Sequence, residues 1–76
     1  MRYPKACLAK NRDALNAALE RSESPVLGAD LARQLRWPGP AVGIVFSSWE
    51  RWFRRHGWRR TLNRMTGHML YERRRR

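Results

Sequence analysis

The sequence predicts one mainly α-helical domain in which three helices are followed by a small C-terminal β-hairpin. Three observations carry that expectation. Apolar residues recur at helical spacing over about residues 5–21, 28–36 and 41–55. Breaks separate those stretches at Ser22-Glu23-Ser24-Pro25, at Trp37-Pro38-Gly39-Pro40 and at His56-Gly57. Beyond Gly57 the pattern changes to alternation on either side of a turn that ends in Gly67.

The first helix follows Pro4. Leu8, Leu15, Ala18 and Leu19 fall on one face, with Lys10, Arg12, Asp13 and Asn16 largely off it. Four alanines, Ala6, Ala9, Ala14 and Ala17, favour helix. Pro25 closes the segment because proline cannot continue a hydrogen-bonded turn. Val26-Leu27 is too short to be a strand alone, although the hairpin offers it a partner. The second helix opens at Gly28-Ala29-Asp30, turns Leu31, Ala32 and Leu35 inward and projects Arg33, Gln34 and Arg36 outward. The third runs from about Ala41 to Arg55. Val42, Phe46, Trp49 and Phe53 centre its buried face, flanked by Val45 and Trp52. Ile44, Ser47, Ser48, Arg51, Arg54 and Arg55 span the opposite side, and Gly43 is a weak spot in the helix. In the hairpin, Trp58, Arg60 and Leu62 share one face and Arg59 and Thr61 the other. Met69 and Tyr71 share a face of the return strand, 68–72. Residues 1–72 thus read as a single domain, and Arg73 to Arg76 as a basic tail with nothing to pack against.

Charge narrows the partners. The 76 residues carry 17 basic and 6 acidic groups, a net charge of +11, with a pI near 11.7. Fifteen of the basic residues are arginine, and residues 41–76 hold +8 of the total against +3 for residues 1–40. Such a balance bears on association rather than on fold. Nucleic acid is the first partner it suggests; an anionic membrane surface or an acidic protein comes second. Eight aromatics, four of them tryptophan, argue against general disorder, because disordered chains are poor in such residues.

Several function classes lose support. Cys7 is the sole cysteine, so no internal disulfide or Cys/His zinc cluster is expected. A lone cysteine on an apolar helix face reads as a small buried residue. No apolar run approaches the roughly 18 residues of a membrane-spanning helix, and residues 1–13 lack a secretory pattern, which leaves the cytoplasm as the expected location. The six acids are scattered, with no nucleophile–base set and no glycine-rich phosphate loop. Neither catalysis, nor a cofactor, nor a small-molecule ligand is expected.

The order helix, short strand, helix, turn, helix, hairpin resembles the winged helix-turn-helix family of DNA-binding domains. The resemblance spans about residues 5–72. Its best local match is Leu31-Ala32-Arg33-Gln34-Leu35, with small Ala32 at the helix crossing, followed by branched Val42 ten residues on. The hairpin stands where that family carries its wing. Trp37-Pro38-Gly39-Pro40 departs from the family's short polar turn, and Gly43 is unusual in a recognition helix.

That resemblance implies that the third helix enters the major groove of double-stranded DNA, a groove about 12 Å wide that admits one helix. Ser47 and Arg51 are then the candidates for base edges, since arginine donates two bonds to guanine. Ser48, Arg54 and Arg55 would grip flanking phosphates, and Arg33 and Arg36 the backbone beside the groove. Arg59, Arg60 and Arg64 belong to the wing, with Arg64 at its tip placed for the minor groove. The implied role is transcriptional regulation, or an accessory role in a phage or mobile element, acting as a homodimer or as side-by-side copies. The sequence names no dimer surface, although Leu8, Leu15 and Leu19 would contribute if the first helix is not fully covered. Other partners stay open: an acidic protein such as part of the transcription apparatus, or RNA. No membrane partner is expected: Trp49 to Arg60 mixes tryptophan and arginine as interfacial helices do, but three helices with turn signals disfavour that reading. Trp37 and Trp52 remain available for stacking on unpaired bases, whereas Trp49 is expected in the core.

Overall fold

A computed structural model of the chain describes residues 3–73. The elements follow in the order α1 (Ala9–Arg21), β1 (Val26–Leu27), α2 (Gly28–Leu35), α3 (Ala41–Ser48), α4 (Glu50–Arg55), β2 (Trp58–Asn63) and β3 (His68–Arg73). The expected class holds: mainly helical, with a small antiparallel hairpin. Val26-Leu27 does find its partner in that hairpin. Val26 lies opposite Tyr71 and Leu27 opposite Leu70, so the sheet order is β1-β3-β2.

Helix α1 starts later than expected. The Asn11 side-chain amide donates to the Lys5 carbonyl at 2.8 Å, and the Leu8 N–H also reaches Lys5, at 3.1 Å. Residues 5–8 therefore fold as a separate turn, and Cys7 on it is exposed rather than buried. Helix α2 ends in a Schellman motif: Trp37 N–H bonds to Ala32 C=O and Arg36 N–H to Arg33 C=O. The motif needs a left-handed residue, and Arg36 supplies it at φ 56°, where glycine is usual. In the turn of the hairpin, Gly67 adopts φ 75° as the turn requires. The Asn63 side-chain oxygen accepts from the N–H groups of Met65 and Thr66 at 3.0 and 3.3 Å.

The expected third helix is two helices. Trp49, at φ −125° and ψ 30°, divides α3 from α4, giving four helices among the described residues rather than the expected three. Trp49 N–H reaches back only three residues, to Phe46, while its indole N–H donates to the Ala6 carbonyl at 2.7 Å. The Ser48 hydroxyl donates to the Ile44 carbonyl at 3.0 Å, a back-bond that bends helices. The bend also lets Phe46 and Phe53 stack at 4.8 Å between centroids, although seven residues of straight helix rise about 10 Å.

One core joins these elements. Leu15 and Leu19 from α1, Leu31 from α2, Val42, Val45 and Phe46 from α3, Phe53 from α4, and Tyr71 from β3 are at most 1% exposed. Full burial of such a side chain contributes about 1.5–3 kcal/mol. Leu15 and Leu19 are consequently spent on the core, and of the three leucines proposed for a dimer surface only Leu8 is exposed. Trp58 is buried too, donating from its indole to Asn16 Oδ1 at 3.1 Å.

Arg73 corrects the expected free tail. It is the last residue of β3, opposite Trp58, and its guanidinium lies 4.3 Å from the Trp58 ring. It also pairs with Glu20 at 2.6 Å, and its N–H donates to the Ser24 hydroxyl. Arg74 to Arg76 lie outside the described residues.

Candidate nucleic-acid interface

The α3–α4 segment buries Val42, Val45, Phe46 and Phe53 and leaves Ile44, Ser47, Ser48, Arg51, Arg54 and Arg55 exposed. The division at Trp49 changes the geometry of that surface. Ser47 lies in the last turn of α3 and Arg51 belongs to α4, so the two are no longer successive turns of one straight helix. An open groove forms at the junction, lined by Ser47, Ser48, Trp49, Glu50, Arg51, Trp52, Arg54 and Arg55.

Seven of the eight candidate arginines fall into two groups. Arg33 pairs with Asp30 at 3.0 Å, Arg54 with Glu50 at 3.1 Å and Arg59 with Glu72 at 2.9 Å. All three pairs are solvent-exposed and worth roughly 0–1 kcal/mol each, so an incoming polyanion displaces the carboxylates at little cost. Arg36, Arg51, Arg55 and Arg64 have no carboxylate within 4.0 Å among the described residues. Their guanidiniums are already free.

Arg60 belongs to neither group. Its guanidinium donates to the Gly43 carbonyl at 3.2 Å and to the Ser47 hydroxyl at 2.7 Å, and it lies 5.1 Å from the centre of the Phe46 ring. Glu50 stands further off, at 3.8 Å. Arg60 thereby ties β2 of the hairpin to α3. Alternation along β2 held the signal for this, since Arg60 shares a face with buried Trp58; the contact with Ser47 did not show in the sequence. Beneath it, burial raises the Tyr71 phenol above its ordinary range, an effect the neighbouring Arg60 guanidinium partly offsets.

The tryptophans are occupied by protein. Arg12, a residue that periodicity placed merely off the core face, sits 4.8 Å from the Trp49 ring and 4.5 Å from that of Trp52. Trp52 also stacks on His56 at 3.8 Å, and His56 caps the Trp52 carbonyl through Nδ1 at 2.8 Å. Trp37 and Trp49 are half-buried against the core.

Arg59, Arg60 and Arg73 cluster on the two strands of the hairpin. Among the described residues, no group of three or more His, Cys, Asp or Glu side chains is placed to hold a metal ion. No described helix is long and apolar enough to cross a membrane. No family model, curated protein or solved structure matches the chain.

Proposed function

We propose that this domain is a winged helix-turn-helix that binds double-stranded DNA, with α3–α4 in the major groove and the β2–β3 hairpin as the wing. The observation that carries the proposal is the division of the α3–α4 segment. Its phenylalanine rings, Phe46 and Phe53, are buried beneath it, while the unpaired guanidiniums of Arg51 and Arg55 face solvent. Helix diameter, about 10–12 Å with side chains, suits a groove about 12 Å wide. The deep, narrow major groove of RNA helices does not admit such an element, which favours DNA over duplex RNA.

In this arrangement Arg51 donates its fork to a guanine edge, and Arg55 and Arg36 neutralise phosphates on either side. Arg33, Arg54 and Arg59 join them by exchanging carboxylate partners for phosphate. Arg64, on the hairpin turn, reaches the minor groove. Ser48, whose proton is committed to Ile44, keeps only acceptor capacity, so its part is secondary. Ser47 retains a hydroxyl proton but is held by Arg60. The chemistry is recognition rather than catalysis, and it suits a small cytoplasmic regulator or an accessory factor of a phage or mobile element. One module of this size offers few base contacts, so it acts as a homodimer or as adjacent copies on DNA.

Competition between duplex DNA, hairpin RNA and single strands tests the proposal, with the salt dependence of the duplex complex measured alongside. The five arginines assigned to phosphates, Arg33, Arg36, Arg54, Arg55 and Arg59, imply a slope of log K against log salt of about −4.5, at about −0.9 per phosphate neutralised. Preference for hairpin RNA, or salt-insensitive binding, would refute it. Absence of duplex binding together with capture of an acidic protein would move the assignment to a protein-interaction module.

A further inference from the structure

Resting on that proposal, we infer that Ile44 reads sequence by packing against the 5-methyl group of a thymine. Of the eight residues of α3, Ala41, Val42, Val45 and Phe46 are buried at 1% exposure or less, and Gly43 has no side chain. Only Ile44, Ser47 and Ser48 remain to face a partner. The two serines are already engaged: Ser47 accepts from Arg60, and Ser48 donates to the carbonyl of Ile44 itself.

Ile44 is therefore the largest outward side chain of the helix, 49% exposed. Its exposure is no shortfall of packing, since its apolar neighbours on the same helix are completely covered. The major groove floor presents one apolar group, the thymine methyl, among its donors and acceptors. A β-branched side chain, stiff at χ1, meets that methyl with little rotamer freedom to lose. The recognition surface then has two chemistries in sequence: an apolar reader on α3 and a forked cation, Arg51, on α4.

The test begins with duplexes selected from a random pool by the wild-type protein. Each thymine of a selected duplex is replaced singly by deoxyuridine, which removes only the methyl group. At one position the replacement weakens wild-type binding about fourfold, the value of burying one methyl group. Ile44→Ala binds the thymine duplex more weakly by a similar factor and does not distinguish the two. Its melting temperature, measured alongside, stays close to wild type because the side chain is half in solvent. Indifference of the wild type to every deoxyuridine, or discrimination that survives in Ile44→Ala, overturns the inference while leaving duplex binding intact. Failure to retain any duplex overturns the proposed function and the inference together.

Discussion

Arg60→Ala separates a DNA contact from an internal strut. In the structure the guanidinium bonds to the Gly43 carbonyl and the Ser47 hydroxyl and lies over Phe46. Hydrogen bonds from a charged donor contribute about 1.5–3 kcal/mol, and the side chain retains 23% of its exposure, which lowers the figure. The substitution should therefore cost about 2 kcal/mol of folding stability, taking two bonds together with partial screening. In a domain of this size that corresponds to a fall in Tm of about 8–16 °C. Arg60→Lys, which keeps the charge and loses the fork, should lie between. Thermal melts of the three proteins give the first readout and the salt slope of duplex binding the second. A strut leaves the slope unchanged while affinity falls through the displaced hairpin. An unaltered Tm with a slope shallower by about 0.9 would make Arg60 a phosphate contact and refute the strut.

Four further outcomes follow from other parts of the molecule. Arg51→Ala should cost about 1–3 kcal/mol on a preferred duplex and relax its sequence preference; equal losses on all sequences would make Arg51 a phosphate contact. Arg36→Gly removes a side chain from a left-handed position and should raise stability by about 0.5 kcal/mol, read as a higher Tm, while weakening binding at low salt. Gly43→Ala should stabilise by about 0.8 kcal/mol in a urea melt, because the new Cβ would stand 3.8 Å from Arg60 and Tyr71 side-chain atoms, an ordinary contact. Tyr71 has its phenol pKa raised above 10.0, first by burial. The folded state thus holds a proton that the unfolded chain releases near pH 10, so this group's share of stability is intact below that pH and is lost as pH climbs through the folded value. Alkaline melts should show a decline above about pH 10 that is smaller in Tyr71→Phe; identical declines would remove Tyr71 as its cause.

Much of this architecture was legible in local pattern. Residues 41–55 announced their buried face through Val42, Phe46 and Phe53, and Gly57 and Gly67 marked the turns that flank β2. The division at Trp49 was not legible, because it depends on a bond from the indole to Ala6, 43 residues away, and periodicity cannot see tertiary partners. Cys7 and Arg73 misled for the same reason. The turn at Lys5 is set by Asn11, and Arg73 is held by Glu20, Ser24 and Trp58. At the candidate site the exposed arginines were identifiable by face, but not which were free. Pairing of Arg33, Arg54 and Arg59 with carboxylates, and capture of Arg60 by α3, are properties of the folded surface.

Chemical-shift mapping of the isotopically labelled protein during titration with a duplex tests the central claim most directly. Shifts should concentrate on Ile44, Ser47, Arg51 and Arg55, with smaller changes at Arg36 and Arg64, while buried Leu15, Leu19 and Leu31 stay still. Perturbations centred on α1 and the turn around Cys7, with the α3–α4 surface silent, would contradict the account.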